Sequence, residues 1–492
     1  MESAEPLPGV SFGQAPERPT IPGFTTVEES RRSGLSGRVS LSLLGAFMDQ
    51  IDIGMIGGGT VGSGVFHALQ QNADLMAARI GLRLGIGKVA VKAFDEPRPY
   101  PIPPSVLTLN WHEVVEDPAV QVVIELVGGT GIARTMILAA LERGKPVVTA
   151  NKALLSAHGP ELFAAARRFG TNLYYEASVA GGIPIIKVVR ESLVGNRIDR
   201  IYGIVNGTCN YILTRMKREG AAFADVLADA QRLGYAEADP TLDIDGHDAA
   251  HKTGILASLA HGFWVNHHDI HVEGIRQLTP LDIRFATQLG YTIKLLGIVK
   301  TVPPAGRAGK QPSPAANRIS VSVGPTLVPD HHVLASVNDV FNAVFISGSP
   351  IGDTLYYGRG AGKDATASAV LSDLADAALD LRHGTPQRVP AFVPHVTKGC
   401  VIPLTETSSR FYLRLDVLDR PGVIAKISAI LSTGGISISS IIQPEGHEGE
   451  TVPVILMTHT ANRAAMDRCC AAIAKIPAVK GPSRLLPVED FD

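Results

Sequence analysis

Cysteine is scarce: four occur in 492 residues, Cys209, Cys400, Cys469 and Cys470. None stands in a CxxC pair. The adjacent Cys469 and Cys470 suit neither a disulfide framework nor a zinc knuckle, so reduced thiols in a cytoplasmic protein are the simple reading. No apolar run reaches the ~18–20 residues that span a bilayer, and no secretory signal precedes the first structured segment. Basic charge is not in excess. Lys and Arg total 45 against 47 Asp and Glu, a net charge of −2. That balance, with no polybasic run, argues against a nucleic-acid or membrane partner. No internal repeat is visible.

The chain does have length and apolar content. It is 45% hydrophobic and 19% charged, enough for large cores in roughly two to four domains. Residues 1–48 are rich in Pro, Gly, Ser and charge and read as a disordered extension. The sequence from Met48 also resembles a natural start, which would make the residues before it a mis-assigned start. Between 49 and 180, β-branched runs at 51–56, 89–94, 120–127 and 147–149 alternate with helical spacing at 61–75, 132–143 and 153–169. That alternation predicts an α/β domain with a parallel sheet and right-handed crossovers. Helices dominate 183–265. Strand-like runs at 292–302, 318–323, 341–346 and 354–357 predict a mixed or antiparallel sheet, with a surface loop over 301–317. Residues 364–382 read as a helix and 386–407 as a linker. A small α+β unit then starts afresh over 410–486.

Three stretches carry chemistry. In IDIGMIGGGTVGSG, Gly57, Gly59 and Gly62 follow a strand and open a helix, the context that makes this spacing a pyrophosphate cradle. Gly57 permits the turn, Gly59 lets the backbone approach the phosphates, and Gly62 lets helix and strand pack closely. Thr60 and Val61 lie at the helix N-terminus that faces the phosphates. At the end of the second strand, Lys92 and Arg98 surround Asp95 and Glu96, so the choice between NAD and NADP stays open. In TANKALL, Asn151 and Lys152 follow a strand at the carboxyl edge of the sheet, where ligands bind. They either contact the nicotinamide ribose or substrate carbonyl, or simply begin a solvated helix. In GYAEADPTLDIDGHDAAHK, Asp245 reads as an N-cap, and Asp248 and Lys252 are i, i+4 neighbours. The bland reading is a surface ion pair worth about 0.3–0.5 kcal/mol. The functional one is a lysine that gives a proton to a developing alkoxide, oriented by a carboxylate. Glu237, Asp239 and Asp243 lie just upstream, suited to a substrate ammonium or to plain solvation. HDAAH also mimics a zinc-protease HExxH, but with Asp for the general base and no obvious third ligand.

Taken in order, IGGGTVGSGV, IELVGG, TANKALL, YEASVAGGIPII, GIVNGTCNYIL, GYAEADPTLDIDGHDAAHK and YGRGAGKDATASAV resemble homoserine dehydrogenase over roughly 50–490. The resemblance implies NAD(P)H-dependent reversible reduction of L-aspartate 4-semialdehyde to L-homoserine, on the route to threonine and methionine. It implies a Rossmann-type domain over 49–180 completed by 359–383, and an α+β catalytic and dimerisation domain with a mixed sheet over 181–358. A linker over 384–409 and a βαββαβ ACT domain over 410–490 would follow. By the same resemblance Lys252 is the acid/base and Lys152 a second active-site lysine near the nicotinamide. Glu237 and Asp248 touch substrate, Asp243 is a further active-site carboxylate, and Lys92, Gly234 and Gly362 join the cofactor contacts. A monovalent cation, sodium, falls on Glu176 and the carbonyls of Val179, Gly181 and Ile183. Where the family often has an Arg-Asp pair, this chain has Lys92 and Ala93, with Glu96 where a basic residue is common. Asp419, Pro421, Gly422 and Val423 resemble the ACT signature turn, which implies an amino-acid effector, most plausibly threonine, and a homodimer or homotetramer. A catalytically degenerate amino-acid sensor is the alternative from another class, and a zinc hydrolase the other.

Overall fold

The computed structural model describes residues 49–303, 318–447 and 449–491. The expectations for 1–48 and for most of the loop over 301–317 lie outside the described residues. Strands β1 (Gln50–Ile56), β2 (Arg83–Ala90), β3 (Leu107–Thr108), β4 (Val122–Glu125), β5 (Val147–Thr149) and β6 (Leu173–Tyr174) form one sheet in the order β3-β2-β1-β4-β5-β6. Every neighbouring pair is parallel. Helices α1 (Thr60–Ile80), α2 (Ile132–Glu142) and α3 (Lys152–Arg168) make the crossovers. The strand order reverses between β1 and β4, the switch point at which such sheets take a dinucleotide. Strands covered by helices on both faces must be apolar throughout, and Ile53, Met55, Val122 and Ile124 are all fully buried.

Two boundaries differ from expectation. The second strand is not 89–94. Its register sets Ala90 opposite Ile56, the last residue of β1, so the sheet ends there and Lys92 lies exposed in the following loop. Gly85 and Gly87 hide the strand in the sequence because they carry no side chain for the alternation to show. The helix expected over 61–75 runs on to Ile80, where Gly81 in the left-handed region (φ 73) ends it.

A second sheet of 12 strands carries the rest of the chain. Its members are β7 (Arg197–Ile204), β8 (His271–Val272), β9 (Tyr291–Thr301), β10 (Arg318–Pro329), β11 (Phe341–Ser349), β12 (Gly352–Arg359), β13 (Cys400–Val401), β14 (Ser408–Leu418), β15 (Ile438–Ile442), β16 (Thr451–Thr458), β17 (Ala461–Asn462) and β18 (Val479–Val488). Strand β7 falls in the region read as helical; its Arg197, Asp199 and Arg200 break the apolar run that would have marked it. The main order is β12-β11-β7-β9-β10-β18-β14-β16-β15. Helices α4 (Gly207–Glu219), α5 (Phe223–Arg232), α6 (His247–His261) and α7 (Pro280–Gln288) belong to the middle region. Helix α6 packs on β9 and β10 through Ala249, Ile255 and Leu256. Helix α8 (Lys363–Arg382) returns to the first sheet, where Ala367, Val370 and Leu374 join Ile53, Val65 and Leu69 in one core.

The C-terminal unit adds α9 (Val423–Thr433) and α10 (Arg463–Ile473) and has the order βαββαβ. It does not hang on a free linker. Residues 384–409 are anchored along their length, with Asn172 Nδ2 donating to the Val389 carbonyl (3.0 Å) and the Tyr175 hydroxyl to that of Ala391 (2.6 Å). The unit itself joins the catalytic sheet where β18 meets β10, Leu327 beside Val488. Arg414 Nε of β14 reaches the fully buried Asp282 at 2.7 Å. Among the described residues no helix is long and apolar enough to cross a membrane.

Lys294, on β9, is 1% exposed. Its Nζ lies 3.2 Å from Asn210 Oδ1 and 3.3 Å from Asn338 Oδ1, and also donates to the Val337 carbonyl. Burial first, then Lys217 and Arg218, lower its pKa from 10.5 to about 7. The unfolded chain therefore binds the extra proton between those values, and stability rises with pH across that window. The melting temperature of the wild-type chain relative to Lys294→Met is expected to rise from pH 7 to pH 9.5. A difference independent of pH would mean that Lys294 stays charged in the fold.

Candidate active site

The glycine loop has the form a dinucleotide needs. Gly57 sits at φ 104, and a Cβ there would lie 2.7 Å from the Leu126 carbonyl group. At Gly62 a Cβ would come within 2.0 Å of the Gly57 oxygen, so only glycine lets α1 start so close to β1. Gly59 faces open space except for Glu96 Oε1, 3.7 Å from its would-be Cβ. Helix α1 has no side-chain cap and no acidic residue in its first turn, with Thr60 and Val61 leading it. Uncapped first-turn amides of a 21-residue helix are a ready site for phosphate. The residues present thus fit a dinucleotide. Arg98 folds back beside this loop and donates to the carbonyls of Gly58 (3.1 Å), Phe94 (2.9 Å) and Ala93 (2.8 Å).

Glu125, at the end of β4, carries a role that reading the sequence missed. Fully buried, it accepts from the Val127 and Gly128 amides (2.7 and 3.1 Å) and from the Thr149 hydroxyl (2.7 Å). It thereby shapes both turns at the carboxyl edge. The lone charge in IELVGG was the available signal. Asn151 begins α3: its Oδ1 caps the helix at the Leu154 amide (3.1 Å) and its Nδ2 donates to the Gly129 carbonyl (2.8 Å).

Lys152 is the first residue of α3, and from there it crosses to the other domain. Its Nζ lies 3.1 Å from Asp248 Oδ1. Lys252 Nζ, one turn on from Asp248 along α6, lies 2.7 Å from Asp248 Oδ2 and 2.8 Å from the Val205 carbonyl. Asp248 and Lys252 are 7% and 8% exposed, so this is not a solvated surface pair. Burial alone would raise the pKa of Asp248. Lys252 and Lys152 outweigh it and hold the carboxyl well below its usual range. In return Asp248 first, then Asp243 and Glu237 at longer range, keep Lys152 above its ordinary value.

Asn206 completes the group. Its Nδ2 donates to Asp248 Oδ2 (2.9 Å) and Asp243 Oδ1 (2.7 Å), while its Oδ1 caps α4 at the Cys209 amide (2.8 Å). The Thr208 hydroxyl lies 2.7 Å from the Tyr235 carbonyl and 3.1 Å from Asp243 Oδ2. Asp243 is therefore a fixed acceptor rather than a free one. Neither Asn206 nor Thr208 was assigned a role from sequence, although both lie within GIVNGTCNYIL. Glu237 is exposed. Asp239 caps the Thr241 amide (3.1 Å). Asp245 is not the N-cap of α6; Gly246 is, at φ 87, and Asp245 pairs with Arg276 instead. Gly234 (φ 75) and Gly362 (φ 115) both have positive φ, and Gly362 is the N-cap of α8.

The remaining expected residues fall elsewhere. Glu176 is buried, and its two oxygens accept from the Ile186 and Lys187 amides at 2.8 Å each. Burial raises its pKa. Ala180 and Gly181 after it are left-handed (φ 55 and 42). Asp419, Pro421, Gly422 (φ 82) and Val423 form the turn between β14 and α9. His247 is exposed, while His251 faces the ring of His267 at 5.5 Å. Among the described residues no three His, Cys, Asp or Glu side chains are grouped to hold a metal.

Proton transfer is what the lysine pair can do, and what a dinucleotide adds beside a proton donor is a hydride. In class the chain is a nicotinamide-nucleotide dehydrogenase. Comparison with known proteins narrows this. Residues 57–176 match the family model described as homoserine dehydrogenase, NAD binding domain, and residues 184–375 that of homoserine dehydrogenase. The chain is 42% identical over 452 residues to the homoserine dehydrogenase of Pseudomonas aeruginosa, covering 90% of this chain and 100% of that one. To the Bacillus subtilis enzyme it is 42% identical over 420 residues, 85% and 93% of the two chains. The crystal structure of a homoserine dehydrogenase from Thiobacillus denitrificans matches with a TM-score of 0.82 at 41% identity, over 91% of this chain and 100% of that one. A hyperthermophilic archaeal homoserine dehydrogenase in complex with NADPH matches with a TM-score of 0.55 at 27% identity, over 67% and 98%. The chain belongs to the homoserine dehydrogenase family and is an NAD(P)-dependent oxidoreductase.

Asp248→Asn removes the anion between the two lysines. The dehydrogenase kcat/KM is expected to fall by about 100-fold or more. Its alkaline limb should move to lower pH, since Asp248 is what raises Lys152. A pH–rate profile unchanged in shape would show that Lys152 does not depend on Asp248.

Proposed function

We propose that the chain catalyses reversible reduction of L-aspartate 4-semialdehyde to L-homoserine, with Lys252 as the proton donor. The carrying observation is that one buried carboxylate holds lysines from two domains at the carboxyl edge of a doubly wound sheet. When bound, the nicotinamide supplies the hydride. An ammonium has three N–H donors. Lys252 commits two, to Val205 and Asp248, which leaves the third for the aldehyde oxygen as charge develops there. Lys152 adds a second positive charge at that oxygen. Glu237, which is exposed, is suited to the substrate ammonium, so that position supplies much of the rate. Asn206, itself fixed by Asp243, holds Asp248 in place. The intact lysine pair does not favour the degenerate-sensor reading.

For the cofactor, the preference turns on Glu96. A carboxylate beside Gly59 accepts from the ribose diol of NAD and repels the 2′-phosphate of NADP. Arg98 spends its fork on backbone carbonyls, which leaves the exposed Lys92 as the phosphate's nearest suitor in this loop. Gly57, Gly59, Thr60, Val61 and Gly62 would hold the pyrophosphate, with Gly234 and Gly362 at the turns that close on the nucleotide. A monovalent cation suits Glu176 and the carbonyls of Val179, Gly181 and Ile183: an all-oxygen set is what a hard cation takes, and left-handed Ala180 and Gly181 redirect the carbonyls around them. Residues 49–180 with 359–383 would form the nucleotide domain, 181–358 the catalytic and dimerisation domain, and 384–409 the connection. Residues 410–490, βαββαβ in order, would be an ACT domain whose turn at Asp419–Val423 takes an effector such as threonine within a homodimer or homotetramer.

Initial rates of homoserine oxidation with NAD and NADP, with and without threonine, test the reading. Lys252→Ala should lower turnover by about 10²–10⁴-fold while the affinity for NADH, read by its fluorescence, stays near wild type. Surviving turnover would rule Lys252 out. Glu96→Gln should raise NADPH affinity relative to NADH; an unchanged ratio of the two binding constants would mean that the carboxylate does not face the ribose.

A further inference from the structure

Lys152 takes its place from side chains that lie beneath the surface. Glu125 and Thr149 are register partners at the carboxyl ends of β4 and β5, so their side chains leave the sheet on one face and meet. The Thr149 hydroxyl donates to Glu125 Oε2 at 2.7 Å. Glu125 Oε1 takes the Val127 and Gly128 amides. That pull turns the chain back through Gly128 and Gly129, both left-handed (φ 79 and 72). The turn brings the Gly129 carbonyl to Asn151 Nδ2 (2.8 Å), and the Asn151 amide returns to Thr149 Oγ1 (3.0 Å). The hydrogen bonds thus close a circuit across two loops. Glu125 and Thr149 are fully buried and Asn151 is 7% exposed, so bulk water does not stand in for a lost member.

The circuit has two outlets. On one side it leans on the glycine cradle. The Leu126 amide donates to the Ile56 carbonyl (2.8 Å), and the Leu126 carbonyl group lies 2.7 Å from where a Cβ on Gly57 would stand. On the other side it ends in the active site. Asn151 Oδ1 caps α3, and the next residue is Lys152, whose Nζ lies 3.1 Å from Asp248 Oδ1. Thr149 is the hinge between the two. Its hydroxyl has one proton, given to Glu125, and its oxygen accepts from Asn151.

We propose that Thr149 and Glu125 are positioning residues that fix the distance between the nucleotide cradle and Lys152. Both are too deeply buried to touch a ligand, and they act through the lysine. A charge misplaced by about 1 Å costs up to about 100-fold in rate. The rate effect rests on the dehydrogenase reading, in which Lys152 adds charge at the aldehyde oxygen; the hold on Lys152 does not.

Thr149→Val keeps the shape and removes the hydroxyl, while Thr149→Ser keeps the hydroxyl. Each is compared with wild type, alone and in a Lys152→Met background. Thr149→Val is expected to lower kcat for homoserine oxidation by about 10- to 100-fold. NADH affinity should stay within about twofold of wild type, and so should every property of Thr149→Ser. In the Lys152→Met background the valine should cost no more than about twofold, because what it displaces is gone. A full additive loss there overturns the proposal, as does a serine variant no better than valine. So does a Lys152→Met enzyme as active as wild type.

A second readout needs no turnover. Competitive acetylation of Lys152 across a pH series, followed by mass spectrometry of its peptide, reports where its ammonium titrates. The charged and titratable groups about it are Asp248, Lys252, Asp243, Glu237 and His251, with Asp248 the first cause of its raised pKa. Thr149→Val should move the labelling midpoint to lower pH as the ammonium leaves Asp248, and Thr149→Ser should not. If Thr149→Val loses its cooperative melt, Glu125→Gln decides. It keeps an acceptor for the two amides but turns an NH₂ toward Thr149, and the same downward shift is expected. An unshifted midpoint overturns the proposal. A shifted midpoint in a chain that does not oxidise homoserine would keep the hold on Lys152 and remove the dehydrogenase reading.

Discussion

Asp248 is the constraint on which the rest of the structure depends. Its two oxygens are shared between Lys252 on its own helix and Lys152 on the first helix turn of the nucleotide domain. A buried carboxylate is costly unless paired and hydrogen-bonded. Here it is both, since Asn206 supplies a further donor. Removing either lysine leaves one Asp248 oxygen without its cation, and the contact to Lys152 ties the helix that begins after β5 to α6. The interaction ties the two segments electrostatically and fixes where both lysine nitrogens lie, and the two cations together hold the Asp248 carboxyl below its usual range.

The surroundings serve that point from three directions. From the first sheet, Glu125 shapes the turns at the carboxyl edge, and Asn151 starts α3 where Lys152 can reach across. From the second, the end of β7 delivers the Val205 carbonyl and Asn206. From behind, the strap at 271–276 presses Gly274 against the turn before α6. Glycine matters here for closeness rather than flexibility: a side chain at Gly274 would push that turn forward into the site.

The C-terminal unit is continuous with the catalytic sheet rather than appended to it. Strand β18 pairs with β10, the buried Asp282 receives Arg414, and Glu489 takes Lys300 and the Tyr202 hydroxyl. Separating the unit would take Arg414 from the buried Asp282, and Lys300 and the Tyr202 hydroxyl from Glu489. The contacts between the unit and the sheet are buried and specific.

What the sequence by itself determined is whatever local patterning specifies. The alternation of strand and helix over the first domain, the glycine cradle, the i, i+4 relation of Asp248 and Lys252, and the βαββα run near the C-terminus were all legible, because each depends on residues close in the chain. Strand β7 and the true limits of β2 were not, since charged residues and glycines broke their periodicity while long-range pairing rescued them. Tertiary structure alone decided that Lys152 meets Asp248 across 96 residues, that Asn206 rather than a free carboxylate holds Asp243, and that Asp245 belongs to Arg276 instead of capping α6. The physical reason is the same in each case. Hydrogen bonds and ion pairs between distant segments form only where the fold has already removed water and brought the partners within reach, and no spacing along the chain encodes that distance.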